Sequence, residues 1–226
     1  MIGISESRVV LWPVARAAHL LRTEGPRGLA RGVARHLHQL SRRVYWHEHF
    51  AIYETNTADY ALGLVAPSID GLEVYILGSE SDVQRLMSEG YEDVRRVVRP
   101  AARRLQQGAV GFCAFVNREV AHVSWVAFTQ EAKLTFDVLP YFVDFEGGEA
   151  CGGGTLTTEP FRNRGLYRHV RAWRLRYCCE HGSHVLVDAT AVNNTPSLRG
   201  MNRYNPRMRA FYRNRRFLRW REWTEL

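Results

Sequence analysis

The chain has 226 residues, 46% of them hydrophobic, 24% charged and 12% aromatic, which is enough for one core with a small appendage and excludes wholesale disorder. The longest apolar run near the N-terminus, Val9 to Ala15, contains Pro13 and is too short to span a bilayer; it has no cleavage pattern, so a soluble, cytoplasmic protein is expected. The formal net charge is +8, and Lys133 is the one lysine among 31 basic residues, an excess that draws anions.

Cys113, Cys151, Cys178 and Cys179 have no C-x-x-C spacing, and His36, His38, His47 and His49 cluster without the ligand pattern of a metal site. Free thiols are expected, with no disulfide framework and no metal.

Residues 1–48 read as a basic helical extension. Val10, Val14, Ala17 and Leu21 fall at helical spacing, as do Leu29, Val33, Leu37, Leu40 and Val44, and Glu24-Gly25-Pro26 breaks the two runs. Eight arginines stand against three glutamates here. Such amphipathic helices can pack on the core, form a homodimer with a second copy, dock on an anionic membrane, or join the nine arginines between Arg199 and Arg221 on nucleic acid.

Residues 49–226 read as one α/β domain. Phe50–Tyr53 and Leu72–Leu77 are short strands, and Ser79-Glu80-Ser81-Asp82 suits a helix start. Helices are expected over Val83–Gly90 and Val94–Gln107, the second interrupted by Pro100. Ala109–Val116 and Val120–Phe128 flank the polar turn Asn117-Arg118-Glu119, the pattern of a hairpin. A Gly-rich strand follows at residues 150–158, then a long helix in which Leu166, Val170, Trp173 and Tyr177 share a face until Gly182. His184–Ala191 is a buried strand, residues 206–216 a short helix, and Phe217–Thr224 a closing strand. The order predicts a mixed α/β fold around one sheet.

The most informative segment is Arg162-Asn163-Arg164-Gly165-Leu166-Tyr167, between the Gly-rich strand and the long helix. Such a turn aims successive backbone N–H groups and the positive helix end into one concavity, a site for a diphosphate. Gly165 permits close approach to the backbone, and Arg162 and Arg164 add charge-assisted hydrogen bonds.

This segment resembles the acetyl-CoA-binding motif of the GNAT superfamily of N-acyltransferases, Arg/Gln-x-x-Gly-x-Gly/Ala. Arg162 and Gly165 match it, and Tyr167 departs from the small residue expected last. The hairpin resembles the family's second and third strands. Near the C-terminus, Asn205 through Tyr212 to Phe217 resembles the family's last-helix pattern, with Arg216 in place of Gly; Asn194-Thr195-Pro196-Ser197-Leu198-Arg199 offers another register for the same helix, with Tyr204 as its aromatic. The first is preferred because it leaves a closing strand. The resemblance covers residues 70–226.

It implies a mostly antiparallel sheet with a splayed strand pair that admits pantetheine. Thr155, Leu156 and Thr157 would face the cofactor, with Asn163, Leu166, Tyr167 and Asn205 completing its contacts. Acetyl-CoA would be the acyl donor and an amine the acceptor, attacking the thioester directly. Tyr212 would protonate the departing thiolate, and Glu149 or Asp188 would serve as base. The rival reading is a GNAT-like module that binds CoA, nucleic acid or membrane without catalysis.

Overall fold

The computed structural model describes residues 23, 25, 26, 45–63, 67–217 and 220–226. The helices expected before residue 45 lie outside the described residues, as does any dimer contact through them. By its internal contacts the chain forms two compact units, Met1–Glu48 with Asn214–Glu222, and His49–Arg213 with Trp223–Leu226.

Among the described residues, eight strands form one mixed sheet. They are β1 (Tyr45–Asn56), β2 (Leu72–Leu77), β3 (Val110–Val116), β4 (Glu119–Ala127), β5 (Glu149–Thr157), β6 (Val185–Ala191), β7 (Arg207–Phe217) and β8 (Trp220–Glu225), in the order β2-β3-β4-β5-β6-β1-β7-β8. Short helices α1 (Glu80–Ser88), α2 (Val94–Val97), α3 (Ala101–Gln106) and α4 (Gln130–Leu134) precede β5, the long α5 (Leu166–Glu180) joins β5 to β6, and α6 (Thr195–Met201) follows β6.

Strand alternation divides the core between the two sheet faces. Cys113, Phe115, Val123, Trp125 and Cys151 pack with Val83, Leu86, Ala101, Leu105 and Ala132 from α1, α3 and α4. Phe112, Ala114, Val126 and Leu186 pack with Leu166, Val170, Leu175 and Cys178 of α5. The hairpin turn between β3 and β4 is two residues long, Asn117 and Arg118, both with positive φ (49° and 70°), as a tight hairpin with right-twisted strands requires. At α1, Ser79 and Asp82 form the reciprocal cap that the sequence suggests.

Three sequence expectations need correction. The first concerns β1, which begins at Tyr45, ahead of the expected Phe50, and lies between β6 and β7. The second concerns residues 206–216, expected as a helix and found as strand β7. The third follows from it: the last helix uses the alternative register, with Asn194 as its N-cap accepting from Ser197 N–H and Pro196 in its first turn. Pro tolerates the first helical turn, where its missing N–H has no partner to lose.

β5 and β6 pair in parallel only from Glu149↔Val185 to Gly152↔Asp188. Beyond that point β5 continues against β4, with Val123↔Leu156 and His122↔Thr157, while β6 continues against β1, with Ala189↔Ile52 and Ala191↔Phe50. The two strands therefore part, which is the splayed pair the sequence resemblance implied.

At the parting point lies a buried ionic group. Asp188 Oδ2 accepts from Arg171 Nη1 at 2.8 Å and Oδ1 from Arg174 Nη1 at 3.4 Å. Arg171 Nη2 also donates to Thr55 Oγ1 at 2.8 Å. All three charged residues are at most 5% exposed. Burial pulls the Arg171 guanidinium down, and the Asp188 charge and hydrogen bond, with the nearby Tyr167 and Tyr204, together raise it above its ordinary value. Asp188→Ala is expected to leave two buried cations uncompensated and to lower unfolding stability by about 3–5 kcal/mol, read from the denaturant midpoint at unchanged m-value.

Candidate active site

The site is assembled from the open ends of β5 and β6 and the turn that leads into α5. Thr158 N–H donates to Ala121 O at 3.0 Å, and this bond sets the N–H and C=O of Thr157 on the side away from β4. There the Thr157 carbonyl accepts from Arg162 Nε at 3.3 Å. Thr155 and Leu156 are exposed. The β4–β5 register shifts between Val123 and Trp125, so β5 carries one extra residue at Gly154–Thr155, and Gly154 takes a φ of +57°. A bulge of this kind leaves backbone groups unpaired and bends the strand outward.

Beyond β5 the chain makes a short 3-10 turn, Glu159–Phe161, and then alternates backbone conformation. Arg162 is extended, Asn163 has φ +63°, and Gly165 has φ +82° as the residue before α5. Residues 162–165 are exposed. Among the described residues, the N–H groups of Asn163 to Tyr167 have no acceptor. Five adjacent donors at the positive end of a 15-residue helix form an anion-binding concavity. Arg164 lies over the Phe161 ring, 5.7 Å from its centre.

Tyr167, the residue that departs from the expected small one, has a compensating neighbour. A Cβ on Gly200 would lie 2.3 Å from Tyr167 Cδ1, so the bulk at 167 is accommodated by its absence on α6. The Tyr167 ring also meets His122 edge-on, with centroids 6.2 Å apart. Asn205 is exposed just past a 3-10 turn, with φ +46°.

The residues expected to act as acid and base are engaged elsewhere. Tyr212 is on β7 instead of a helix, and its hydroxyl donates to Glu225 Oε2 at 2.7 Å. Burial and that carboxylate push its pKa up to about 12, which makes it a poor proton donor to a thiolate. Tyr204 of the other register is fully buried and donates to the Arg168 carbonyl at 2.6 Å. Asp188 is clamped by two guanidinium groups. Glu149 accepts two contacts from Arg209 Nη1, at 2.7 and 2.8 Å, and one from Asp144 N–H. It sits three residues on the closed side of the parting, about 10 Å away at strand rise.

The sequence reading missed His122. Its Nδ1 is 2.7 Å from Thr157 Oγ1, which fixes the Thr157 side chain at the mouth of the gap. Burial, then the Arg174 charge, lowers its pKa to about 3, so the imidazole is neutral. Alternation in β4 shows only that it faces inward; the contact with Thr157 depends on the strand register. Among the described residues, no three His, Cys, Asp or Glu side chains gather as a metal site, and no helix is long and apolar enough to cross a membrane.

The architecture is thus a mixed α/β sheet with a parted central pair and a donor-rich turn at the opening. A scan against protein families finds no match, and neither does a search of curated proteins. Solved structures do resemble the chain in shape. One is a functionally unknown conserved protein from Staphylococcus epidermidis, at 9% identity over 79% of this chain and 64% of that one, TM-score 0.47. Another is a putative GNAT-family acetyltransferase from Novosphingobium aromaticivorans, at 14% identity over 75% and 65%, TM-score 0.45. A third is a GCN5-related N-acetyltransferase from Sphaerobacter thermophilus, at 12% identity over 81% and 56%, TM-score 0.49. The chain spans less than two thirds of each. Identities and scores of this size say nothing of substrate or activity.

The depressed pKa of His122 has a consequence for stability. Its folded-state value lies below the ordinary 6.5, so the unfolded chain binds the proton more readily. The stability it confers is complete above about pH 6.5 and is lost as pH falls toward 3. His122→Asn, which retains a hydrogen-bonding group but does not titrate, is expected to flatten that acid limb in denaturant unfolding. An unchanged limb would mean that His122 titrates normally.

Proposed function

We propose that the protein is an acyl-CoA-dependent N-acyltransferase of GNAT type that transfers an acetyl group from acetyl-CoA to an amine. The observation that carries the reading is the parting of β5 and β6 directly beside a turn of unpartnered N–H groups. An extended pantetheine chain can lie in the gap and bond to the open backbone of Thr155 and Thr157, as an added strand would. The diphosphate then reaches Asn163 to Tyr167, where the exposed Arg162 and Arg164 add charge. Gly165 permits this because its left-handed backbone exposes the helix N-terminus without a side chain.

The amine attacks the thioester carbonyl carbon, a C–N bond forms, and the C–S bond breaks. The thiolate leaves and the amine's proton passes to solvent. A backbone N–H freed at the Gly154–Thr155 bulge is suited to polarise the carbonyl oxygen. Holding donor and acceptor in one gap supplies orientation, the larger part of what this reaction needs. The alternative role of a CoA-binding module without turnover is favoured by one fact, the engagement of Tyr212, Asp188 and Glu149 in other bonds.

Calorimetry with CoA and a free-thiol assay with acetyl-CoA and an amine panel separate these readings. Wild type is expected to bind CoA and release thiol only with an amine present. Gly165→Glu, which adds a like charge and strains the left-handed backbone, is expected to weaken CoA binding by about tenfold or more. CoA affinity unchanged in that variant would contradict the site. Tight CoA binding with no thiol release would support the non-catalytic module.

A further inference from the structure

The sheet face opposite α5 holds a second group of unsatisfied donors, at the bulge of β5. Arg104, on α3, projects to Gly154: a Cβ there would lie 2.7 Å from Arg104 Nη1 and 3.0 Å from Trp125 Cδ1, the ring atom bonded to Nε1. Arg104 Nε and Nη1 and Trp125 Nε1 are all buried with no hydrogen-bond partner. Trp125 is 0% exposed, whereas Arg104 is half-buried, so the group opens to solvent through the arginine. The guanidinium carbon lies 5.2 Å from the Trp125 ring centre and 5.8 Å from that of Phe136. These aromatic faces hold the cation in place but accept none of its in-plane N–H groups.

A buried donor without an acceptor is costly, more so when it is charged, and here Arg104 Nη1 lies against Gly154 with the Trp125 indole beside it. Among the described residues no carboxylate offsets the cost. Burial alone accounts for the lowered pKa of Arg104, in contrast with Arg171, which has Asp188. Arg104 Nη1 against Gly154 and the neighbouring indole N–H are two donors without acceptors, a match for an anion with two oxygens. Gly154 is also where the acyl group would lie under the function proposed above, on which this inference rests.

We propose that Arg104 and Trp125 form a carboxylate-binding subsite at the β5 bulge. The carboxylate belongs to the acceptor amine or to the acyl chain of the donor. Arg104 supplies Nη1, Trp125 supplies Nε1, and Phe136 packs against the guanidinium. The subsite selects ligands that carry a carboxylate a short distance from the reacting carbon or nitrogen.

Matched pairs that differ only in the carboxylate test this. Phenylalanine against phenylalaninamide, and glycine against glycinamide, serve as acceptors with acetyl-CoA. Succinyl-CoA against acetyl-CoA serve as donors to phenylalaninamide. Each pair is assayed with wild type, Arg104→Met and Arg104→Lys, with folding checked by thermal melting.

In one arm the carboxylate member is expected to have a kcat/KM about tenfold or more higher, carried by KM. The preference should vanish in Arg104→Met, which keeps the stem, and be partial in Arg104→Lys, which keeps only the charge, while CoA affinity stays at the wild-type value. The arm that responds identifies the source of the carboxylate. Equal rates within every pair in wild type, or a preference that survives Arg104→Met, overturns the proposal. If CoA binds but no amine is acylated, the acyltransferase reading fails separately. The same pairs are then titrated by tryptophan fluorescence: saturable, Arg104-dependent quenching by a carboxylate member supports the subsite, and its absence overturns it.

Discussion

β5 and β6 share four residue pairs and then separate, and a carboxylate held by two arginines stands at the point of separation. Gly152 has no side chain because Asp188 Oδ1 and Arg174 Nη1 occupy the space a Cβ would take, at 2.4 and 2.9 Å. The arginines come from one face of α5, three residues apart, and Arg171 reaches on to Thr55 of β1. A single buried ionic group therefore ties β5, β6, β1 and α5 together where the sheet opens. Breaking such a group costs more than forming it gains, so its value here is in fixing geometry.

That anchor sets the position of the turn. With Arg171 and Arg174 held at the parting, and Leu166 and Val170 buried one turn earlier, the first residues of α5 have little freedom. The turn 162–165 is left exposed beside the open edge of β5, where Arg162 reaches the Thr157 carbonyl. His122 adds a second constraint from β4, since its neutral ring holds Thr157 and touches Tyr167. The two faces of the opening differ in chemistry. The α5 side offers backbone donors to a polyanion, and the α3 side offers Arg104, Trp125 and Phe136.

Much of this was legible in the sequence because it depends on local chemistry. The hairpin, the Gly-rich strand, the turn with Gly165 and the long helix each announce themselves through spacing or a residue with one conformational purpose. The C-terminal region misled for an equally physical reason. Asn205, Tyr212 and Phe217 fit a helical motif, yet residues 207–217 form a strand, while Asn194 and Pro196 start the true last helix. Two compatible motifs that start eleven residues apart, at Asn194 and Asn205, differ in tertiary pairing, which the local pattern does not encode. The bonds that engage Asp188, Glu149 and Tyr212 were hidden in the same way. Asp188 and Glu149 are acidic groups on expected strands and Tyr212 a phenol on an expected helix, and each partner lies beyond the local segment: Arg171, Arg209 and Glu225. Arg104 and Trp125 were invisible for the converse reason, since nothing in a sequence marks a donor that lacks an acceptor.

The central claim is that CoA seats in the parting of β5 and β6 with its diphosphate on the turn before α5. Amide hydrogen exchange with and without CoA tests this without any assumption about the acceptor. The account predicts slowed exchange confined to two stretches, Gly153–Thr157 and Asn163–Tyr167, whose open backbone groups would gain partners on binding. Protection elsewhere, with those two stretches unchanged under saturating CoA, would contradict it.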